Sequence, residues 1–355
     1  MSDTSSSTTV IEVTDVWKIF GEQPQKALEV ARSGEVSKQE LLEAHDAVVG
    51  VADVSFNVRR GEIFCVMGLS GSGKSTLVRH LNRLLEPTAG RVVIDGVDVM
   101  SLAPDDLRKF RNRKVAMVFQ NFGLMPHWSV LDNIAMALEI RSVNKNERMQ
   151  IASRILSLVE LEGWGNKFAH ELSGGMQQRV GLARALAADS EVLLMDEPFS
   201  ALDPLIRRQL QDEFIQLSAA MNKTTVFITH DLDEAVRVGD RIAIMRDGRM
   251  VQIGTAEDIV MNPADDYVAD FVAGISRLKV VKAHAVMQSL DAFVTANGVI
   301  SDDVKRVDHG ESLSELITLA IDDDAPIVVT DQERDVGVIT RRDILQTVIE
   351  GADMS

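Results

Sequence analysis

The chain has 355 residues, 45% of them hydrophobic, which is enough for two or three domains with cores of their own. Its formal net charge is −17 and its pI about 4.9, which argues against non-specific nucleic-acid binding, because a polyanion is repelled by an acidic surface. A single cysteine, Cys65, excludes an internal disulfide. Met1–Thr9 lacks the apolar stretch expected of a secretory signal, and no apolar run reaches the roughly 18 residues needed to span a membrane.

In chain order, Val10 to Gly21 reads as an edge strand ending in a turn, with Phe20 at its tip. That ring could stack on a purine base or pack in a core. Residues 22–48 read as an insertion. Pro24 to Arg32 predicts a short helix stopped near Gly34, and Ser37-Lys38-Gln39-Glu40 is a capping box for a second one. This stretch is too charged to be expected in a core. Strand character returns at Val48 to Val51 and at Val54 to Val58, and Arg59-Arg60-Gly61 turns into the apolar run Ile63-Phe64-Cys65-Val66-Met67, a buried strand.

Gly68-Leu69-Ser70-Gly71-Ser72-Gly73-Lys74-Ser75-Thr76 follows, the pattern G-x-x-x-x-G-K-S, and beyond it Leu77, Leu81, Leu84 and Leu85 recur at helical spacing. Glycines let the backbone turn tightly and aim its N–H groups at phosphate oxygens. The helix adds its positive end to the same anion. Lys74 can reach the β- and γ-phosphates, and the Ser75 hydroxyl can ligate Mg²⁺.

Arg91 to Gly96 is a strand and turn, and Val115 to Phe119 a buried strand ending at Gln120. From Asn121 to about His170 the pattern is helical, broken by Pro126-His127-Trp128, and reads as a helical subdomain inserted in an α/β core. Leu172-Ser173-Gly174-Gly175-Met176-Gln177 opens another helix. Val192 to Met195 runs into the carboxylates Asp196 and Glu197, Ser200-Ala201-Leu202-Asp203 lies just beyond, and Thr225 to Thr229 is a buried strand with His230 at its end. Arg241 to Met245 and Met250 to Ile253 make a hairpin about Asp247-Gly248. Residues 277–355 are more acidic, and read as a small αβ module with strands at 304–307, 326–330 and 336–340 and helices at 312–321 and 341–349.

These motifs, in this order, resemble the nucleotide-binding subunit of an ABC transporter over about residues 10–275. The resemblance implies an α/β fold: a P-loop NTPase (RecA-like) ABC ATPase domain over 1–276, with its helical subdomain at about 121–175 and its insertion at about 22–48. ATP and Mg²⁺ would be its cofactors. Phe20 would stack on the base, and Asp196 would hold the Mg²⁺ hydration shell beside Ser75. Glu197 would be the general base, His230 would contact the γ-phosphate, and Gln120 would sense metal and water. Ser173, Gly174, Gly175 and Gln177 would close over ATP held by a second copy, with Asp203 near the interface, so that a head-to-tail homodimer sandwiches two ATP molecules. Soluble relatives acting on DNA or ribosomes fit less well, given one phosphate loop and the acidic balance.

Val51 to Phe56, Met67 to Ser70, Leu81 to Leu84 and Leu124-Met125-Pro126-His127, together with the insertion, look like the glycine betaine/proline betaine osmoprotectant importers. That family implies transmembrane permease partners, a periplasmic or surface solute-binding protein acting indirectly, no nucleic acid, and a place on the cytoplasmic face of the cell membrane. Gly337 to Leu345 resembles a CBS domain, so residues 277–355 are expected to be a CBS-like regulatory domain, with Lys279 to Gln288 as the remnant of a second repeat.

Overall fold

Strands covered on both faces must be apolar throughout, and the continuous runs of the sequence become such strands. The computed structural model describes residues 8–33, 38–119, 123–200, 202–297, 304–332 and 334–352. β1 (Thr9–Phe20) leads into α1 (Pro24–Ser33) and α2 (Lys38–His45) and returns as β2 (Val48–Arg59). Then come β3 (Ile63–Met67), the phosphate loop, α3 (Lys74–Leu81), β4 (Ala89–Ile94), β5 (Val97–Asp98), α4 (Pro104–Arg113) and β6 (Val115–Val118). α5 (Val130–Ile140) and α6 (Lys145–Leu158) form the helical insert, and α7 (Gly174–Ala187) leads back to β7 (Val192–Asp196). α8 (Pro204–Ala220), β8 (Thr224–Thr229), α9 (Leu232–Val238), β9 (Arg241–Arg246) and β10 (Arg249–Gly254) close this part of the chain. Among the described residues no helix is long and apolar enough to cross a membrane.

The chain divides into two compact units, Met1–Ile253 and Gly254–Ser355. In the first, a six-stranded sheet has the order β10-β9-β3-β8-β7-β6. β3 is parallel to both its neighbours and buried along its whole length. Its end therefore delivers the phosphate loop to the middle of the sheet edge. Met67 is level with Thr229, and Asp196 with Ile228, so the residues that follow β3, β7 and β8 meet in one place.

A second sheet, β2-β1-β4-β5, packs its apolar face into the same core, where Phe56 stacks on Phe64 with centroids 5.0 Å apart. β1 is thus an interior strand and not an edge. Partners for both its sides arrive later in the chain, as β2 and β4. The insertion also departs from expectation. Ala27, Leu28 and Leu41 are buried with Trp17, Ile19, Ala47 and Ala52, so α1 and α2 cover a small core of their own. A few apolar side chains on otherwise charged helices are sufficient for this, because the large ring of Trp17 supplies much of the volume.

α3 ends in a buried ionisable group. His80 is 0% exposed; its Nδ1 lies 2.6 Å from the Leu85 carbonyl and its Nε2 has no protein partner. Burial pushes its pKa down to about 4. The unfolded chain binds this proton at about pH 6.5 whereas the folded chain refuses it, so stability present above that value is lost as pH falls toward 4. His80→Gln, which keeps an N–H donor, is expected to remove about 2 kcal/mol of the stability lost between pH 7 and pH 5, read from urea unfolding at the two pH values.

The second unit holds α10 (Ala256–Met261), α11 (Asp266–Val272), α12 (Arg277–Val280), α13 (Ala283–Val286), β11 (Gln288–Ser289), α14 (Leu290–Asn297), β12 (Arg306–Asp308), α15 (Leu313–Asp322), β13 (Ile327–Asp331), β14 (Arg334–Ile339) and α16 (Arg341–Ala352). Its sheet has the order β11-β14-β13-β12, over a core that includes Val281, Leu313, Leu316, Val329 and Ile339. Its division from the first unit falls at Gly254, not at residue 277 as read from the sequence. The reason is local. Met261 packs on this core, and the Glu257 carboxylate accepts the Lys282 N–H at 2.9 Å and pairs with His284 at 2.9 Å. The stretch Lys279 to Gln288, read as the remnant of a second repeat, joins this same unit: Val281, Ala283 and Val286 pack in its core and Gln288 pairs with Val338 in its sheet.

Candidate nucleotide site

The phosphate loop needs its glycines for space as well as for conformation. A Cβ on Gly68 (φ +149°) would stand 2.1 Å from the Met245 carbonyl oxygen, and one on Gly73 (φ +101°) 2.3 Å from that of Gly50. The loop closes on itself through the Ser72 N–H donating to Leu69 at 3.1 Å, and it is tied to the β9–β10 turn by the Gly248 N–H donating to Ser72 at 2.9 Å. α3 starts at once, and its N-cap, Gly73, has no side chain to occupy the first-turn N–H groups, which leaves them for an anion. Lys74 is 5% exposed, and its ammonium lies along the loop, donating to the carbonyls of Gly68 at 2.8 Å and Leu69 at 3.0 Å. Burial lowers its pKa, and the carboxylates of Glu197 and Asp196 oppose that shift.

Two strand ends bring the carboxylates. Asp196 closes β7 and is 2% exposed. It accepts the Ser75 hydroxyl at 2.8 Å and lies 3.6 Å from Arg79. This buried carboxylate beside a hydroxyl is a pair of hard oxygen donors, the chemistry that suits Mg²⁺. Glu197 turns out of the strand with φ +47°, its N–H donating to the Ile228 carbonyl at 3.0 Å. Its carboxylate reaches 3.2 Å from Nδ1 of His230, the residue after β8. A cleft of about 440 Å³ is lined by Gly71, Lys74, Ser75, Glu197 and His230, with Ser70, Gly73 and Thr76 on the same wall.

The far side of the cleft is made by Val48, Val49 and Gly50 of β2, which the sequence did not single out. The available signal was Gly50 interrupting a run of valines, because a glycine within a strand often marks a bulge or a close approach. Here it does both. The β1–β2 register shifts beside it, and a Cβ at Gly50 would stand 2.7 Å from the Phe20 ring. Phe20 pairs with Val48 at the end of β1, is 41% exposed, and carries the Lys18 ammonium 5.1 Å from its centroid. The ring is thus partly exposed and packs beside Gly50 of the cleft wall, without itself lining the cleft.

Ser173, Gly174, Gly175, Gln177 and Asp203 do not line this cleft. Ser173 caps α7 by accepting the Met176 N–H at 3.3 Å, and both it and Gly174 are exposed. The Gln177 amide donates to the carbonyls of Ala169 at 3.0 Å and Leu172 at 3.3 Å, so it secures the turn ahead of the helix. Asp203 starts α8, exposed and without a side-chain cap. Gln120 lies outside the described residues, as does Ala201.

A family model described as ABC transporter matches residues 51–200. The glycine betaine/proline betaine transport system ATP-binding protein ProV of Escherichia coli (strain K12) is 51% identical over 290 residues, 82% of this chain and 71% of that protein. The chain belongs to the ABC transporter ATP-binding family. The trimethylamine N-oxide transport system ATP-binding protein TmoW of Ruegeria pomeroyi is 44% identical over 344 residues, covering 97% of this chain and 98% of that protein. Among solved structures, a dimeric post-hydrolysis state of the ATP-binding cassette MJ0796, bound to ADP and Pi, is 32% identical with a TM-score of 0.59, over 69% of this chain and 98% of that one. On the fold described above, this ABC ATPase carries a phosphate loop, a carboxylate-bearing strand end and a serine that caps α7.

Proposed function

We propose that this chain is the ATP-hydrolysing subunit of an importer for small methylated-ammonium osmoprotectants, glycine betaine and proline betaine foremost. The observation that carries the reading is the separation of two half-sites. One face holds Lys74, Ser75, Asp196, Glu197 and His230 around a single cleft, and the Ser173–Gly175 helix tip stands outside that lining. Two copies placed head to tail bring the tip of one to the cleft of the other, and each encloses an ATP molecule.

In that arrangement the loop N–H groups and Lys74 cradle the phosphates, and Phe20 stacks on the base. Ser75 and Asp196 hold Mg²⁺, which supplies charge neutralisation at the phosphates, and Gln120 completes that set. Glu197 accepts the proton of the attacking water, and His230, paired with Glu197, is held against the γ-phosphate. Ser173, Gly174 and Gly175 donate to the phosphates from across the interface, with Gln177 bracing their turn and Asp203 beside them.

The permease docks on the helical insert. A hollow of about 320 Å³, lined in part by Met117, Phe119, Met125, Met136 and Ile140, offers an apolar seat for a short helix. Asn133, 1% exposed, rigidifies its rim: its side chain accepts the Met125 N–H at 2.7 Å and donates to the Trp128 carbonyl at 3.2 Å. Bound there, the chain sits on the cytoplasmic face of the cell membrane, and a solute-binding protein on the other side delivers the cargo. The C-terminal unit acts as a CBS-like regulatory domain.

A second substrate reading has one specific support. TmoW matches this chain over nearly its whole length, so trimethylamine N-oxide is a cargo of the same chemical class. Isolating the native complex from membranes, identifying its permease and binding protein, and measuring ATP hydrolysis with glycine betaine, proline betaine or trimethylamine N-oxide separates the two. Stimulation by one of these solutes supports the reading. A chain that fractionates without any membrane subunit overturns it.

A further inference from the structure

Asp203 and His230 stand on different turns, one opening α8 and the other closing β8 ahead of α9. One side chain joins those turns. Arg207, one helical turn into α8, donates from Nη1 to Asp231 at 3.0 Å and from Nη2 to the Leu202 carbonyl at 3.2 Å. Its own N–H donates to the Asp203 carbonyl at 2.8 Å. The planar guanidinium can serve both acceptors together because its donors form a rigid fork. Asp231 is fixed on its other side. It accepts the Glu234 N–H at 3.1 Å, capping α9, and its own N–H donates to the Thr229 hydroxyl at 2.9 Å. His230 therefore lies between Thr229 and Asp231, two residues whose places are set by hydrogen bonds, and one of these is held by Arg207.

We propose that Arg207 is a positioning residue that couples the interface turn at Leu202–Asp203 to the histidine turn at His230–Asp231. Engagement of Asp203 by a second copy then sets His230 against the γ-phosphate in the same chain. This rests on the head-to-tail reading above.

Arg207 is not needed to hold the two helices together. Gln211 of α8 donates to the buried Glu234 of α9 at 2.9 Å, and Arg237 of α9 pairs with Asp212 of α8 at 2.7 Å. A variant at residue 207 is thus expected to fold, and the fork can be tested separately from the fold.

The test uses the assembled transporter and four variants: Arg207→Gln, Arg207→Lys, Asp231→Asn and the double Arg207→Gln/Asp231→Asn. Asn at 231 keeps the cap of α9 and loses the charge. Steady-state hydrolysis is measured against ATP concentration, with thermal unfolding beside it. The expected result is a fall in kcat of about tenfold for Arg207→Gln, within the range of coupling between sites, with KM for ATP within about twofold and a reduced Hill coefficient. Lysine, which reaches one acceptor at a time, falls in between. The double variant is no slower than the slower single, because both remove the same link. Wild-type kcat and cooperativity in Arg207→Gln, or losses that multiply in the double variant, overturn the proposal. His230→Ala is run in parallel: if it retains full kcat, the role of His230 falls, whereas a dead His230→Ala beside a normal Arg207→Gln removes only the coupling.

Discussion

Glu197→Gln is expected to slow ATP hydrolysis by at least about a hundredfold, the lower end of general-base contributions, while ATP binding stays near wild type. Glu197 is held in its unusual backbone conformation by main-chain bonds: its N–H donates to Ile228 at 3.0 Å and its carbonyl accepts the Ser200 hydroxyl at 3.1 Å. None of this depends on the carboxylate, so the amide variant keeps the turn. The amide oxygen can still face His230, which in the parent lies 3.2 Å from the carboxylate. What glutamine cannot do is take a proton from water. Because the γ-phosphate then persists between the two half-sites, the variant is also expected to accumulate as an ATP-dependent dimer in size-exclusion chromatography. Hydrolysis at near-parental rate would remove Glu197 from the role of base. Slow hydrolysis without dimer accumulation would place the loss before nucleotide enclosure.

Much of this site was legible because its residues cluster at the ends of apolar runs. Ile63–Met67, Val192–Asp196 and Thr224–Thr229 are buried along their full lengths, and parallel neighbours of this kind must end on the same edge. The residue after each run then belongs to the site, as Gly68, Glu197 and His230 do. Residues whose roles depend on a distant partner were not legible. β1 reads as an edge strand because nothing in its own pattern announces that β4 will pair with its free side. Gly50 and Val48 join the cleft only because β2 pairs with β1 and places them by Phe20. Arg207 looks like any surface arginine of a helix until Asp231, 24 residues away, is brought beside it by the packing of α8 on α9. α1 and α2 fail in another way: Ala27, Leu28 and Leu41 are few among charged neighbours, and nothing local announces that Trp17 and Ile19 of β1 will give them a core to join.

Lys74→Ala is expected to weaken ATP binding about 10- to 100-fold, the cost of one hydrogen bond to a charged group, and to bring hydrolysis below detection. Lys74 is almost fully buried, and its cationic form is opposed by that burial and favoured by Glu197 and Asp196 nearby. A triphosphate adds further negative charge to the same wall, so the ammonium is the group that lets phosphate approach two carboxylates. Without it, the repulsion between Asp196, Glu197 and the γ-phosphate is unrelieved. The loop carbonyls of Gly68 and Leu69, which take the ammonium's hydrogen bonds at 2.8 and 3.0 Å, also lose their donor. Lys74→Arg separates these effects. It keeps the charge, but its planar fork does not fit a space shaped for a compact ammonium, and binding is expected to recover more than hydrolysis. Titration of a fluorescent ATP analogue reads the first quantity and phosphate release the second. ATP affinity within about twofold of the parent in Lys74→Ala would show that the backbone N–H groups of the loop and of α3 hold the phosphates without help from the lysine.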